Sequence, residues 1–334
     1  MKVKKASVIG AGSWGTAISM LLAEKAEQVL LWGRDPKTIQ DINHKRVNRH
    51  YLPREEVPAN VTATTDFADL ADSQVVIVVT PSSVTREVTA RAAAAIGLSK
   101  DVPIVSASKG VEAESGKRMT EILSETFVGH PVAVLSGPSH AEEVARHMAT
   151  AAVIGCADSE VAAKLQELFT LPFFRTYTSK DVIGIEYGGA VKNVFALAGG
   201  IADGLGLGDN AKAALVTRGL AELVRLGTTL GGDPETFQGL SGVGDLIVTC
   251  YSTHSRNNRV GQMIGKGHSL DEINQSMHMV VEGIPNTKNL HALAKSKNVR
   301  TPIIDEVNAI LYENKSPEDA LSGLLNRDPR PEAG

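Results

Sequence analysis

Ala6 to Ile9 reads as a short strand that runs directly into Gly10-Ala11-Gly12-Ser13-Trp14-Gly15, and Thr16 to Ala23 continues as a helix. No other stretch narrows the fold so far. GxGxxG alone is a weak signal in a chain with 31 glycines, but a strand before it and a helix after it supply the context a dinucleotide loop needs. Gly10 allows the tight turn, Gly12 lets the backbone approach a pyrophosphate, and Gly15 permits close packing of helix on strand. The free N–H groups at the helix start attract phosphates.

The rest of the first half repeats the strand-to-helix alternation. A strand over Gln28 to Trp32 ends at Gly33-Arg34-Asp35, where a cofactor ribose is expected. Arg34 there suits a 2′-phosphate and favours NADP, whereas Asp35 leaves NAD open. A cationic cluster follows, His44-Lys45-Arg46 and Arg49-His50, which reads either as a cover for the adenine or as a solvated face. The strand Val75 to Val79 ends at Thr80-Pro81-Ser82-Ser83, and the strand Ile104 to Ala107 ends at Ser108-Lys109-Gly110. In an open parallel sheet, ligands sit beyond the carboxyl ends of the strands. Lys109 points there by position, though an ordinary loop lysine would look the same. Val132 to Leu135 then leads into Ser136-Gly137-Pro138-Ser139-His140, with a hydroxyl on the same rim. His140 sits at a helix start, where a lone histidine is more often a cap or a surface residue than an acid or base. Strand-like 149 to 157, a helix over Glu160 to Phe169 and a strand over Phe173 to Tyr177 complete a doubly wound α/β sheet.

From Ile185 onward strand signals vanish, so the chain divides into residues 1–185, a dinucleotide-binding half, and 186–330, an all-helical half. The second half opens on EYGGAVKNVFALAGGIADG, in which Val191, Val194, Phe195, Ala198 and Ile201 recur at helical spacing. Lys192 and Asn193 stand on this apolar segment. A cation there is costly to desolvate unless something negative meets it, or else it snorkels along its stem to water. A glycine-rich loop, Gly204 to Gly208, precedes a helix from about Lys212 to Leu230, and further helices are expected near 259–265, 270–276, 286–297, 302–313 and 316–325. Between them, 239–262 reads as a long structureless polar insertion, of the kind usually kept for function. Asp245 lies inside it behind three glycines. Ser255-Arg256-Asn257-Asn258-Arg259 supplies the chemistry of a phosphate site just before a helix start, or an exposed polar turn.

Charge and cysteine content exclude several classes. The 334 residues carry a net charge of −4, which gives no footprint for nucleic acid. Cys156 and Cys250 are too few for a disulfide framework, and without a CxxC pair no metal site is expected. The longest apolar runs, such as VVIVV at 75–79, fall far short of the roughly 20 residues that span a bilayer. MKVKK leads into the glycine loop rather than a signal peptide, so a cytoplasmic enzyme without membrane insertion is the expectation.

Several motifs are too long for chance. GAGSWGTA, SASKG, SGPSHAEEV, EYGGAVKNVFALAGGIADGLGLGDNAKAAL, GLSGVGDLIVTCYSTHSRNNRVG and VVEG together resemble the bacterial NAD(P)-dependent glycerol-3-phosphate dehydrogenases over nearly the whole chain. The resemblance implies a Rossmann-like domain, an all-helical domain and an active site between them. It also implies a homodimer that reversibly reduces dihydroxyacetone phosphate to sn-glycerol 3-phosphate for phospholipid synthesis. By position it places Ser13, Trp14, Arg34, Lys109, Ala141, Arg256, Val280 and Glu282 at the cofactor, beside Gly10, Gly12 and Gly15. Lys109, Gly137, Ser139, Lys192, Asp245, Ser255, Arg256 and Asn257 fall at the substrate, with Lys192 as proton acceptor. Arg54 departs from the glycine that relatives often have after the proline, adding a cation on the 2′-phosphate side. Two other readings stay open: a reductase of carboxylate substrates, and a sensor that binds NAD(P)H without turnover.

Overall fold

Runs of valine, isoleucine and leucine broken by glycine, proline and aspartate give the first 179 residues their alternation. The structure, a computed structural model, describes residues 2–276, 281–329 and 331–332. The first half contains β1 (Val3–Ile9), α1 (Ser13–Ala23), β2 (Ala26–Trp32), α2 (Pro36–Lys45), β3 (Val47–Asn48), β4 (Leu52–Glu56), β5 (Val61–Thr64) and β6 (Val76–Val78). It continues with α3 (Thr85–Ala95), β7 (Ile104–Ser106), α4 (Met119–Thr126), β8 (Val132–Ser136), α5 (Ala141–Ala145), β9 (Thr150–Gly155), α6 (Ser159–Phe169) and β10 (Phe174–Ser179).

Eight of these strands form one sheet in the order β10-β9-β8-β7-β6-β1-β2-β5. β1 pairs in parallel with β2 on one side and β6 on the other, so the strand order reverses there and a crevice opens beyond their carboxyl ends. Gly10 makes the turn into it at φ 123°, a conformation open to glycine. A Cβ on Gly15 would lie 1.7 Å from the Gly10 carbonyl oxygen, so only glycine lets α1 dock this close to β1. The sheet is mixed where simple alternation suggests parallel strands, because β9 runs antiparallel to β8. The link between them holds only the five-residue α5, too little helix for a full crossover, and the chain re-enters the sheet from the end it left.

The second half is α7 (Val182–Gly204), α8 (Gly208–Thr229), α9 (Pro234–Phe237), α10 (Asp245–Tyr251), α11 (Arg256–Gly265), α12 (Leu270–Ser276), α13 (Gly283–Ser296), α14 (Pro302–Tyr312) and α15 (Pro317–Leu325). The expected boundary after residue 185 falls in the first turn of α7. That helix is buried on all sides from Gly184 to Ala202, which marks it as the axis of the second core rather than a surface helix. Its glycines serve close approach. A Cβ on Gly200 would lie 2.0 Å from the Asn258 carbonyl oxygen, and one on Gly261 2.1 Å from that of Leu197, so α11 lies backbone to backbone against α7.

The structureless insertion expected over 239–262 is corrected here. Leu240–Gly244 forms a π-helical turn that runs into α10, and α11 follows after a short link. Gly242 explains the misreading: its Cβ would collide with the Phe237 backbone at 2.0 Å, so the glycines mark tight packing and not slack.

Candidate active site

Lys192 lies midway along α7 and is 5% exposed, so it does not snorkel to water. Its Nζ pairs with Asp245 Oδ1 and donates to Thr249 Oγ1 at 2.7 Å. Asp245 opens α10 and is 1% exposed. Its other oxygen, Oδ2, takes the ammonium of Lys109 at 2.6 Å. Lys109 comes from the loop after β7 and also donates to the Gly137 carbonyl at 3.0 Å. Two ammoniums therefore share one carboxylate, with little water to screen them.

That excess of positive charge is relieved if one lysine gives up its proton. Burial above all, joined by the Lys109 cation, brings Lys192 down to about 7 against the opposing pull of Asp245. For Asp245 burial favours the neutral acid, yet Lys109 and Lys192 hold its carboxyl below the usual value. Thr249 was missed from the sequence. The usable signal was its place four residues after Asp245, on the same face of a helix.

The polar residues of α11 line up beside this set. Ser255 caps α11 by accepting from Asn258 N–H at 3.2 Å. Asn257 Nδ2 donates to Asn193 Oδ1 at 3.0 Å, and Asn257 Oδ1 accepts from Gly283 N–H at 2.9 Å. Asn193, the neighbour of Lys192, thus ties the start of α11 to α7. The Arg256 guanidinium is largely buried, which lowers its basicity, while Glu282, Glu142 and Tyr51 offset this. On the sheet side, Gly137 adopts φ 135° and its carbonyl also accepts from Ser139 Oγ at 2.9 Å. Lys109, Gly137, Lys192 and Asp245 are thereby joined by direct bonds, and Ser139 joins them through the Gly137 carbonyl.

Contacts from the helical half hold the Lys109 loop in place. Glu282 accepts from Ser82 N–H at 2.9 Å and Ser82 Oγ at 2.6 Å. Asn286 Nδ2 and Asn289 Nδ2 donate to the carbonyls of Lys109 and Val111 at 3.4 and 3.2 Å. Near the start of α7, the buried Glu186 pairs with Arg118 Nη1 at 2.6 Å and accepts from Thr120 N–H at 2.8 Å. Glu186, Asn286 and Asn289 gave no sequence signal as site residues.

The other end of the cleft fits a dinucleotide. A Cβ on Gly12 would meet no protein atom within 4 Å, so this backbone faces open space at the start of α1, where a pyrophosphate needs room. Ser13 Oγ donates to the Tyr51 carbonyl at 2.8 Å. Trp14 and Ala141 pack in one small cluster between α1 and α5, and Trp14 Nε1 is buried without a protein partner. Arg34 is exposed after β2, while Asp35 is spent as the cap of α2, accepting from Lys37 N–H and Thr38 N–H at 3.2 and 3.1 Å. Val280 lies outside the described residues. Among the described residues no helix is long and apolar enough to cross a membrane, and no cluster of three or more His, Cys, Asp or Glu could hold a metal.

A lysine that gains or loses a proton near neutrality, set across a cleft from a dinucleotide loop, suits acid–base assistance to hydride transfer at a carbonyl. The fold and cleft thus point to the class of NAD(P)-dependent dehydrogenases. Residues 5–162 match the amino-terminal model, and 181–322 the carboxyl-terminal model, of NAD-dependent glycerol-3-phosphate dehydrogenase. The chain belongs to that family. It is 48% identical to a glycerol-3-phosphate dehydrogenase [NAD(P)+] of Lysinibacillus sphaericus, over 97% of each chain. The crystal structure of the Coxiella burnetii glycerol-3-phosphate dehydrogenase superposes with a TM-score of 0.93 at 37% identity, over 97% of this chain and 99% of that one. A ketopantoate reductase from Ralstonia eutropha, at 16% identity and a TM-score of 0.61, over 95% of this chain and 99% of that one, shares the fold alone.

Proposed function

We propose that Lys192 gives the proton when dihydroxyacetone phosphate is reduced and takes it back when sn-glycerol 3-phosphate is oxidised. The chain is an oxidoreductase of the glycerol-3-phosphate dehydrogenase class that uses NAD or NADP. The observation that carries the proton assignment is the pairing of the buried Lys192 and Asp245 with the partly buried Lys109. The nicotinamide, when bound, supplies or accepts the hydride at the substrate C2. Lys192 Nζ then moves the proton at the C2 oxygen, while Asp245 and Thr249 fix the direction of its N–H bonds. Burial first, then the Lys109 cation, lowers the basicity of Lys192 so that it can lose its proton near neutrality, and Lys109 adds a cation beside the polarised oxygen.

Arg256, with Ser255, Asn257, Gly137 and Ser139, holds the phosphate end; the start of α11 and the guanidinium supply the charge-assisted donors. Gly10, Gly12, Ser13, Trp14 and Gly15 hold the pyrophosphate side, with Ala141, Arg256 and Glu282 toward the nicotinamide. An exposed Arg34 beside an Asp35 already engaged as a helix cap favours NADP over NAD. Residues 1–185 form the nucleotide half and 186–330 the catalytic half of a cytoplasmic homodimer that supplies phospholipid synthesis. Two unpaired, buried cysteines suit that compartment.

The direct test follows the oxidation of NADPH and of NADH by absorbance when dihydroxyacetone phosphate meets the purified protein. Rapid turnover that Lys192→Ala abolishes supports the reading. Turnover unchanged in that variant would discard the proton assignment.

A further inference from the structure

Most polar atoms around the cleft are paired, but His140 Nε2 is shut off from solvent and no protein atom bonds it. The residue holds the N-cap position of α5 that its place in the sequence suggests, but its side chain makes no capping hydrogen bond and is only partly exposed. A buried polar atom left without a partner is costly unless a ligand supplies one. Across the cleft stands the His254 ring, 5.8 Å away between centroids and inclined at 52°. His254 immediately precedes Ser255, the cap of α11, and His140 immediately follows Ser139. The two rings thus bring together, at a tilt, the neighbours of two residues assigned to the phosphate, Ser139 from one half of the chain and Ser255 from the other.

The charged and titratable groups facing His140 are Lys192 of α7, Asp245 of α10, Glu142 and Glu143 of its own helix, and His254. Burial first, then the Lys192 cation, push the imidazole below its ordinary value. The ring is accordingly neutral at pH 7 and carries one N–H donor. A neutral donor serves a particular purpose in this place. It bonds an anion without adding to the positive charge that already sets the basicity of Lys192.

We propose that His140 is a substrate-binding residue whose Nε2–H donates to the substrate phosphate, with His254 bordering the same phosphate from the helical half. The inference deepens the phosphate placement at Ser255, Arg256 and Asn257 and rests on it. Its test measures kcat and KM for dihydroxyacetone phosphate and for dihydroxyacetone, which lacks the phosphate, in the wild type, His140→Ala, His140→Gln and Arg256→Leu.

His140→Ala should raise the KM for dihydroxyacetone phosphate roughly 10- to 100-fold, the usual loss for a hydrogen bond to a charged group. Its kcat/KM for dihydroxyacetone should fall far less than that for dihydroxyacetone phosphate, and NADPH affinity should hold. Glutamine places an amide N–H near the position of Nε2, so His140→Gln should recover most of the loss. An equal loss on both substrates, or an unchanged KM in His140→Ala, overturns the inference. If Arg256→Leu alone raises the KM, His140 is discarded and the phosphate placement stands. If neither variant raises it, the placement fails and takes the inference with it.

Discussion

A lysine held at about 7 sets the direction of both pH profiles. At pH 7 a lysine at its ordinary 10.5 is uncharged in roughly 3 of 10,000 molecules, while one at about 7 is uncharged in roughly half. The site thus holds on the order of 10³ more free base than an exposed lysine would. With Lys192 as the proposed base, oxidation of sn-glycerol 3-phosphate requires it neutral, so its kcat/KM should rise about tenfold per pH unit up to about 7 and then level. Reduction needs the ammonium, so its kcat/KM should be level below about 7 and fall with the same slope above it. Measuring both directions between about pH 5.5 and 9 separates the enzyme from its substrate, because ionisation of the phosphate gives no such mirror pair. Lys192→Ala should remove both limbs and about 10²- to 10⁴-fold of kcat with NADPH affinity retained. Asp245→Asn takes away the anion that favours the charged lysine, so in that variant the oxidation limb should move to lower pH. Limbs near pH 10, or limbs that slope the same way in both directions, would refute the charge-sharing argument.

Other parts of the molecule make separate demands. Arg256→Leu should raise the KM for dihydroxyacetone phosphate by roughly 10²-fold while changing kcat less; an unchanged KM removes it from the phosphate site. Arg34→Ala should lower the NADPH to NADH ratio of kcat/KM by about tenfold or more, the loss of one guanidinium-to-phosphate contact, and an unaltered ratio would clear it of that role. Glu222 of α8 is buried and accepts from Ile303 N–H and Ile304 N–H at the start of α14, at 2.7 and 3.3 Å, and burial pushes it up to about 7. The folded protein then holds more protons than the unfolded chain between about 4.5 and about 7, so Glu222 contributes stability below that window and loses it as pH rises through it. Thermal unfolding of Glu222→Gln against wild type should therefore shift in favour of the variant between pH 5 and 8 by up to about 3 kcal/mol, and parallel Tm curves would count against it.

The dinucleotide loop was legible because its constraint is local. Gly10, Gly12 and Gly15 act within one strand-to-helix turn, and the distances they meet are set by the next few residues. Lys192 was legible as an anomaly, a cation on an apolar helix, and Asp245 as a candidate site residue, but that the two form one ion pair was not. Asp245 lies 53 residues further on, in a stretch whose glycines imitate a loop while they pack against Phe237 and α7. Glu186, Asn286 and Asn289 were silent for a related reason. Each acts on the far half of the chain, and nothing beside them in sequence differs from an ordinary polar residue on a helix. The antiparallel β9 escaped because strand direction depends on how much helix fits between two strands, and α5 reads from sequence like the start of a longer helix.

The charge balance at Asp245 links the fold to the reaction. With one carboxylate for two ammoniums, the closed set is a net cation, and such a set in a dry interior favours an anionic substrate and a neutral lysine alike. A single domain could supply Lys192 and Asp245, since both come from the helical half and stay paired. Lys109 comes from the sheet, beyond the carboxyl end of β7, and reaches Asp245 only because Glu282, Asn286 and Asn289 hold that loop against the helices. The share of the lowering at Lys192 that comes from Lys109, added to the larger share from burial, therefore depends on contact between the two halves. A displaced Lys109 would leave Lys192 matched by one carboxylate and less ready to give up its proton, so under the proposed proton role the contact between the halves bears on the chemistry as well as on the fold.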